Sequence, residues 1–142
     1  MAEGLLRSKS KTERVALNVT SAGTWAVEGL PPTLEAQETM AERGIDISDV
    51  RSLEVSADLI DEVDLILVMT RTHREALLAE FQQARERTML FSELDGASWD
   101  VEDPVGGTLD DYRATADVLE RLIDAGWDVI AQAEDAAQSA EL

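Results

Sequence analysis

The run Val63-Asp64-Leu65-Ile66-Leu67-Val68-Met69 is mostly apolar and of strand length, and Thr70, a residue suited to cap a helix, follows at once. That succession constrains the fold more than any other feature. An apolar run of this kind suits a strand covered on both faces, and such strands belong to parallel sheets joined by helices. The same alternation recurs on either side. Val15-Ala16-Leu17-Asn18-Val19-Thr20-Ser21 has the period of a strand and stops at Ala22-Gly23, and Thr88-Met89-Leu90-Phe91 is a further short strand.

Helical stretches lie between these runs. Residues 2–14 read as a helix carrying Arg7, Lys9, Lys11 and Arg14. Thr33 is placed to cap a helix reaching Arg43, with Gly44 where a left-handed residue ends it. Ser56 caps a short helix to Glu62. From Thr70 onward the stripe includes Leu77, Leu78 and Phe81, which puts His73 at the edge of the core. Leu109, Tyr112, Ala116, Leu119 and Ile123 recur at spacings of three and four, giving an amphipathic helix to about Ala125. The β-α alternation predicts an open parallel sheet of the α/β class, with ligands bound beyond the carboxyl ends of the strands. Residues 21–32, 70–73 and 92–108 would meet there. The last of these is too long for a plain connection.

Composition narrows the function. With 30 acidic residues against 12 basic ones, the formal charge of −18 repels phosphate backbones and anionic lipid, so neither nucleic acid nor membrane is expected as a partner. Lys9 and Lys11 are the only lysines. No apolar run approaches membrane-spanning length and no secretory leader is evident, which predicts a cytoplasmic protein. The absence of cysteine removes disulfides, thiolate metal sites and cysteine nucleophiles from these residues. No metal-ligand spacing or nucleotide-binding motif occurs, so no cofactor is expected.

Four segments in order, Met1-Ala2-Glu3, Ser21-Ala22-Gly23-Thr24, Asp64 to Thr70, and Asp103-Pro104, resemble the low-molecular-weight protein tyrosine phosphatases. Val105-Gly106-Gly107, in place of paired tyrosines, is more similar to the bacterial members, which include protein arginine phosphatases. The resemblance implies a three-layer α/β sandwich with a parallel sheet over residues 1–127, and an acidic tail over residues 128–142 as helix extension or disorder. In the family an apolar strand and a C-x5-R-S-P loop precede the Met-Ala-Glu motif, which here stands at the start. The expectation is therefore a fold whose first strand and nucleophilic loop are missing, inactive as given, with neighbouring strands exposed to self-association.

Residue by residue, the resemblance implies that Asp103 is the acid that protonates the leaving group, whereas the residues alone leave it as one carboxylate of an acidic loop. Trp25 falls at the rim of the phosphate pocket, either as a wall for a substrate ring or as a packing residue. Ser21 matches a serine that hydrogen-bonds into the phosphate loop, or is a plain strand-end serine. Val50 stands where many relatives have a histidine. The implied partner is a phosphorylated protein, with phosphotyrosine, phosphoarginine and arsenate all open as substrates. A noncatalytic relative acting as an interaction module is the alternative.

Overall fold

The structure, a computed structural model, describes residues 1–140, with side chains to residue 134. Residues 141–142, the end of the expected acidic tail, lie outside the described residues. The chain divides into two compact units, Met1–Glu54 with Asp103–Arg121, and Val55–Glu102 with Leu122–Leu142.

The first unit opens with helix α1 (Ala2–Glu13), which ends on Arg14 in the left-handed conformation (φ 58°). Leu5 and Leu6 supply its buried face. Gly4 lies against the Ile45–Ile47 segment so closely that a Cβ there would sit 2.6 Å from Cγ2 of Ile47. Helix α2 (Leu34–Ala41) starts at Thr33, whose hydroxyl accepts the Ala36 N–H, the N-cap expected from its position. Gly44 is left-handed at φ 74°, also as expected. Met40 and Thr39 are fully buried. The first turns of helix α5 (Leu109–Ala125) complete the unit, burying Tyr112, Ala116 and Leu119, and the Thr33 hydroxyl donates to the Tyr112 hydroxyl at 3.2 Å. Arg113 pairs with Glu42 at 2.6 Å and Asp110 at 2.9 Å.

One expected strand is absent. Val15, Leu17 and Val19 are half-buried and alternate with exposed Ala16, Asn18 and Thr20, so the period of two is real. Yet this segment forms no ladder. Side chains of α1 take over several of its backbone groups: Ser10 Oγ accepts the Leu17 N–H at 3.3 Å, Arg7 donates to the Val19 carbonyl at 3.3 Å, and Glu3 accepts the Ser21 N–H at 3.0 Å. Only at Gly23 does an isolated parallel bridge, to Glu54, appear.

The second unit holds the parallel pair β1 (Ile66–Val68) and β2 (Thr88–Leu90), in the register Ile66–Thr88, Leu67–Met89 and Val68–Leu90. With the helices around it, this pair gives the α/β class that the alternation predicts. Both strands are shorter than expected, and β1 is half-buried instead of covered on both faces. Helix α3 (Ala57–Glu62) is capped by Ser56, and helix α4 (Arg71–Glu80) by Thr70, whose hydroxyl accepts the His73 N–H at 3.1 Å. Ile60, Leu77, Leu78, Phe81 and Ala84 form one apolar cluster, with Val55, Ile66 and Val68 packed against it. His73 itself is exposed, which corrects its expected place at the core edge. It occupies the first turn of α4, before the buried stripe begins.

Short 3-10 turns, Gln82–Arg87 and Phe91–Asp95, flank β2. The fully buried Ser92 then clamps the following loop, donating to the Trp99 carbonyl at 2.6 Å and accepting the Trp99 N–H at 3.0 Å. Helix α6 (Trp127–Ala140) follows Gly126, where a Cβ would lie 2.5 Å from Cβ of Leu94.

Candidate active site

Ser21, Trp25 and Asp103 all lie in the first unit, with no hydrogen bond joining any of them to another. They differ in how they are held.

Asp103 sits at the head of a tight turn. One carboxylate oxygen accepts the Val105 N–H at 3.0 Å, and among the described residues nothing else bonds to it. The Gly107 N–H then closes onto the Pro104 carbonyl at 2.8 Å, with Gly106 at φ 83° supplying the positive φ that the third position of a type II turn requires. Gly107 is packed too tightly for any side chain, since a Cβ would meet Oδ2 of Asp111 at 2.6 Å and the Pro104 carbonyl oxygen at 2.9 Å. Beyond it, Thr108 and Asp111 bond reciprocally. Oδ2 of Asp111 accepts the Thr108 N–H at 2.7 Å and its hydroxyl at 3.0 Å, while the Thr108 hydroxyl accepts the Asp111 N–H at 3.3 Å. The Thr108 N–H, and then its hydroxyl, hold the Asp111 carboxyl below the usual carboxylate range. Asp103 is thus exposed but fixed from behind, with one oxygen open to solvent.

Trp25 is 92% exposed. Val27 and Leu30 of the same loop and Leu34 at the start of α2 are exposed as well. The loop is tied at its far end, where the Gly29 N–H donates to the Ser52 carbonyl at 2.9 Å, the Leu30 N–H to the Ser52 hydroxyl at 2.9 Å, and the Ser52 hydroxyl to the Val27 carbonyl. Large apolar side chains held in water by an ordered loop form a surface suited to contact with another molecule.

Ser21 anchors the near end of that loop. Its N–H and its hydroxyl both donate to one carboxylate oxygen of Glu3, and the other oxygen accepts from Arg7 at 2.5 Å. Glu3 is only 7% exposed. In the sequence Glu3 stands out only as part of the Met1-Ala2-Glu3 motif. The available signal was an acid in the first turn of a helix with an arginine four residues on.

Among the described residues no cluster of His, Cys, Asp or Glu could hold a metal ion, and no helix is long and apolar enough to cross a membrane. The chain contains no cysteine.

Comparison with known proteins gives one consistent result. Residues 1–134 match the family model described as low molecular weight phosphotyrosine protein phosphatase. The protein-arginine-phosphatase of Bacillus subtilis is 35% identical over 124 residues, covering 87% of this chain and 82% of that protein. Among solved structures, the YwlE arginine phosphatase from Geobacillus stearothermophilus superposes with a TM-score of 0.83 at 30% identity, over 99% of this chain and 87% of the other. A low molecular weight protein tyrosine phosphatase from T. tengcongensis gives 0.84 at 37% identity, over 87% and 85%. With its parallel pair and its ordered acidic turn, the chain belongs to the low molecular weight phosphotyrosine protein phosphatase family.

Proposed function

We propose that these residues form the proton-donor side and the substrate wall of a protein phosphatase that acts on phosphoarginine in proteins. The observation that carries the reading is the Asp103 turn, in which one carboxylate oxygen is held by the Val105 N–H and the other is open. In the proposed reaction a thiolate attacks phosphorus and the bond from phosphorus to the guanidino nitrogen breaks. Asp103 delivers its proton to that leaving nitrogen. It then takes a proton from the water that cleaves the phosphocysteine, returning the thiolate and releasing phosphate. Trp25 flanks the side chain being dephosphorylated, and Ser21 fixes the base of the Trp25 loop. The preference for phosphoarginine over phosphotyrosine rests on the arginine phosphatases among the relatives. Hydrolysis of phosphotyrosine peptides in preference to phosphoarginine peptides would reverse it.

The nucleophile is the piece these 142 residues do not supply, since none of them is cysteine. As a separate polypeptide the chain is therefore expected to hydrolyse neither substrate. Translating the DNA upstream of the Met1 codon in frame tests the proposal. A segment encoding an apolar strand and C-x5-R supports it. An in-frame stop directly upstream favours the second reading, a noncatalytic relative that binds phosphorylated proteins, for which the same lack of cysteine speaks. Calorimetry with inorganic phosphate on the 142-residue chain separates the two, because the binding module requires measurable affinity.

A further inference from the structure

The stretch leading into Asp103 is bonded at three successive residues. The Trp99 carbonyl accepts from the fully buried Ser92 hydroxyl at 2.6 Å, and the Trp99 N–H donates back to it at 3.0 Å. The Val101 N–H donates to the Met69 carbonyl, just past β1, at 2.9 Å, and the Val101 side chain is buried. Between them Asp100 makes the one bond in which this stretch uses a side chain: its Oδ1 accepts the Arg71 N–H at 2.9 Å and Nε of Arg71 at 3.3 Å. Glu102 alone then separates the stretch from Asp103.

The Arg71 N–H opens α4 and has no carbonyl within the helix to bond, while the Thr70 hydroxyl is occupied by the His73 N–H. A carboxylate suits the vacancy because the start of a helix is its positive end. The Arg71 N–H, and with it the Arg71 side chain, holds the Asp100 carboxyl below the usual carboxylate range. Asp100 side-chain exposure is 33% and that of Arg71 is 58%, so the pair adds little to stability. Its effect is geometric. A chain held by the Val101 bond alone can pivot about it, whereas a second bond one residue earlier, to a different partner, fixes its direction. We infer that Asp100 is a positioning residue: its carboxylate, seated on the first turn of α4, sets the direction in which the chain enters the Asp103 turn and so places the proton donor. The inference rests on the reading of Asp103 as that donor. Displacing a reacting group by about 1 Å can cost about 10²-fold in rate, so a contact three residues away is enough to matter.

Two readouts test it. In the 142-residue chain, nitrogen relaxation gives backbone order parameters without any need for turnover. Asp100→Ala should lower those of Glu102, Asp103 and Val105 from the rigid value of about 0.85 toward about 0.6. Those of Leu77 and Leu78 should stay unchanged, which reports that α4 remains folded. Asp100→Asn keeps an acceptor oxygen for the Arg71 N–H and should retain the order. In the polypeptide extended through its upstream codons, Asp100→Ala should lower kcat on phosphoarginine peptides by about 10-fold with little change in KM, and Asp100→Asn should restore it. That loss should vanish where Asp103→Asn is already present, because a residue acting through Asp103 then has no donor to place. Unchanged order at Asp103 in Asp100→Ala, or a kcat loss of the same size in the Asp103→Asn background, would overturn the inference. A kcat unaffected by Asp103→Asn alone would instead overturn the proposed function, and the order parameters would still show whether Asp100 holds the turn.

Discussion

Two carboxylates of the first unit, Glu3 and Asp103, are held in opposite ways. Glu3 is buried and meets donors at both oxygens, so it is spent on holding structure. Asp103 is exposed and gives one oxygen to the Val105 N–H. Its fixation comes from its neighbours: the Gly107 closure and the Thr108 and Asp111 pair make the backbone rigid while the carboxyl stays open. The proposed role of Asp103 as proton donor calls for a carboxyl that is ordered yet open to a substrate.

The contrast fixes an order of effects on stability. Glu3→Ala leaves Arg7 and two donors of Ser21 without their acceptor and should destabilise the protein by about 2–3 kcal/mol, read as a lower denaturation midpoint. Gly107→Ala forces a Cβ against a backbone carbonyl and should cost about 1–3 kcal/mol. Thr108→Ala removes a helix cap and should cost about 1 kcal/mol. Asp103→Ala should change stability by no more than about 0.5 kcal/mol, the usual range for an exposed position. A loss at Asp103 as large as that at Glu3 would break the distinction.

The Thr108 substitution also sharpens it through pH. The Asp111 carboxyl is held below its usual range in the folded chain, so the folded state favours the ionised form. That stabilisation is fully present above the unfolded carboxylate value of about 3.9 and is lost as pH falls through the lower folded value. Acid unfolding from pH 5 downward should therefore be shallower in Thr108→Ala than in the unsubstituted chain. Equal slopes would mean that the Thr108 contacts do not hold the carboxyl.

What was legible in the sequence was mostly local. Thr33, Ser56 and Thr70 were readable as caps, and each accepts the N–H expected of it, because capping depends only on the next three residues. The α/β alternation was readable because each element's period is set by its own few residues. Whether residues 15–21 would pair was not, since a period of two records which face is buried and not whether a neighbour completes the ladder. His73 misled because spacing by fours runs back into the first turn of α4, before the helix meets the core. Trp25 left its exposure open, because an aromatic residue serves core and surface contacts alike. The role of Glu3 was invisible because its partner Ser21 is distant in sequence and meets it only in the fold.

The central claim, that Asp103 is the proton donor of a phosphatase, is tested most directly by kinetics. The polypeptide extended through its upstream codons is assayed on phosphoarginine peptides with Asp103 and with Asp103→Asn. The account predicts a fall in kcat of about 10²- to 10⁴-fold with little change in stability, the range for losing a general acid. An unchanged kcat in Asp103→Asn would contradict it.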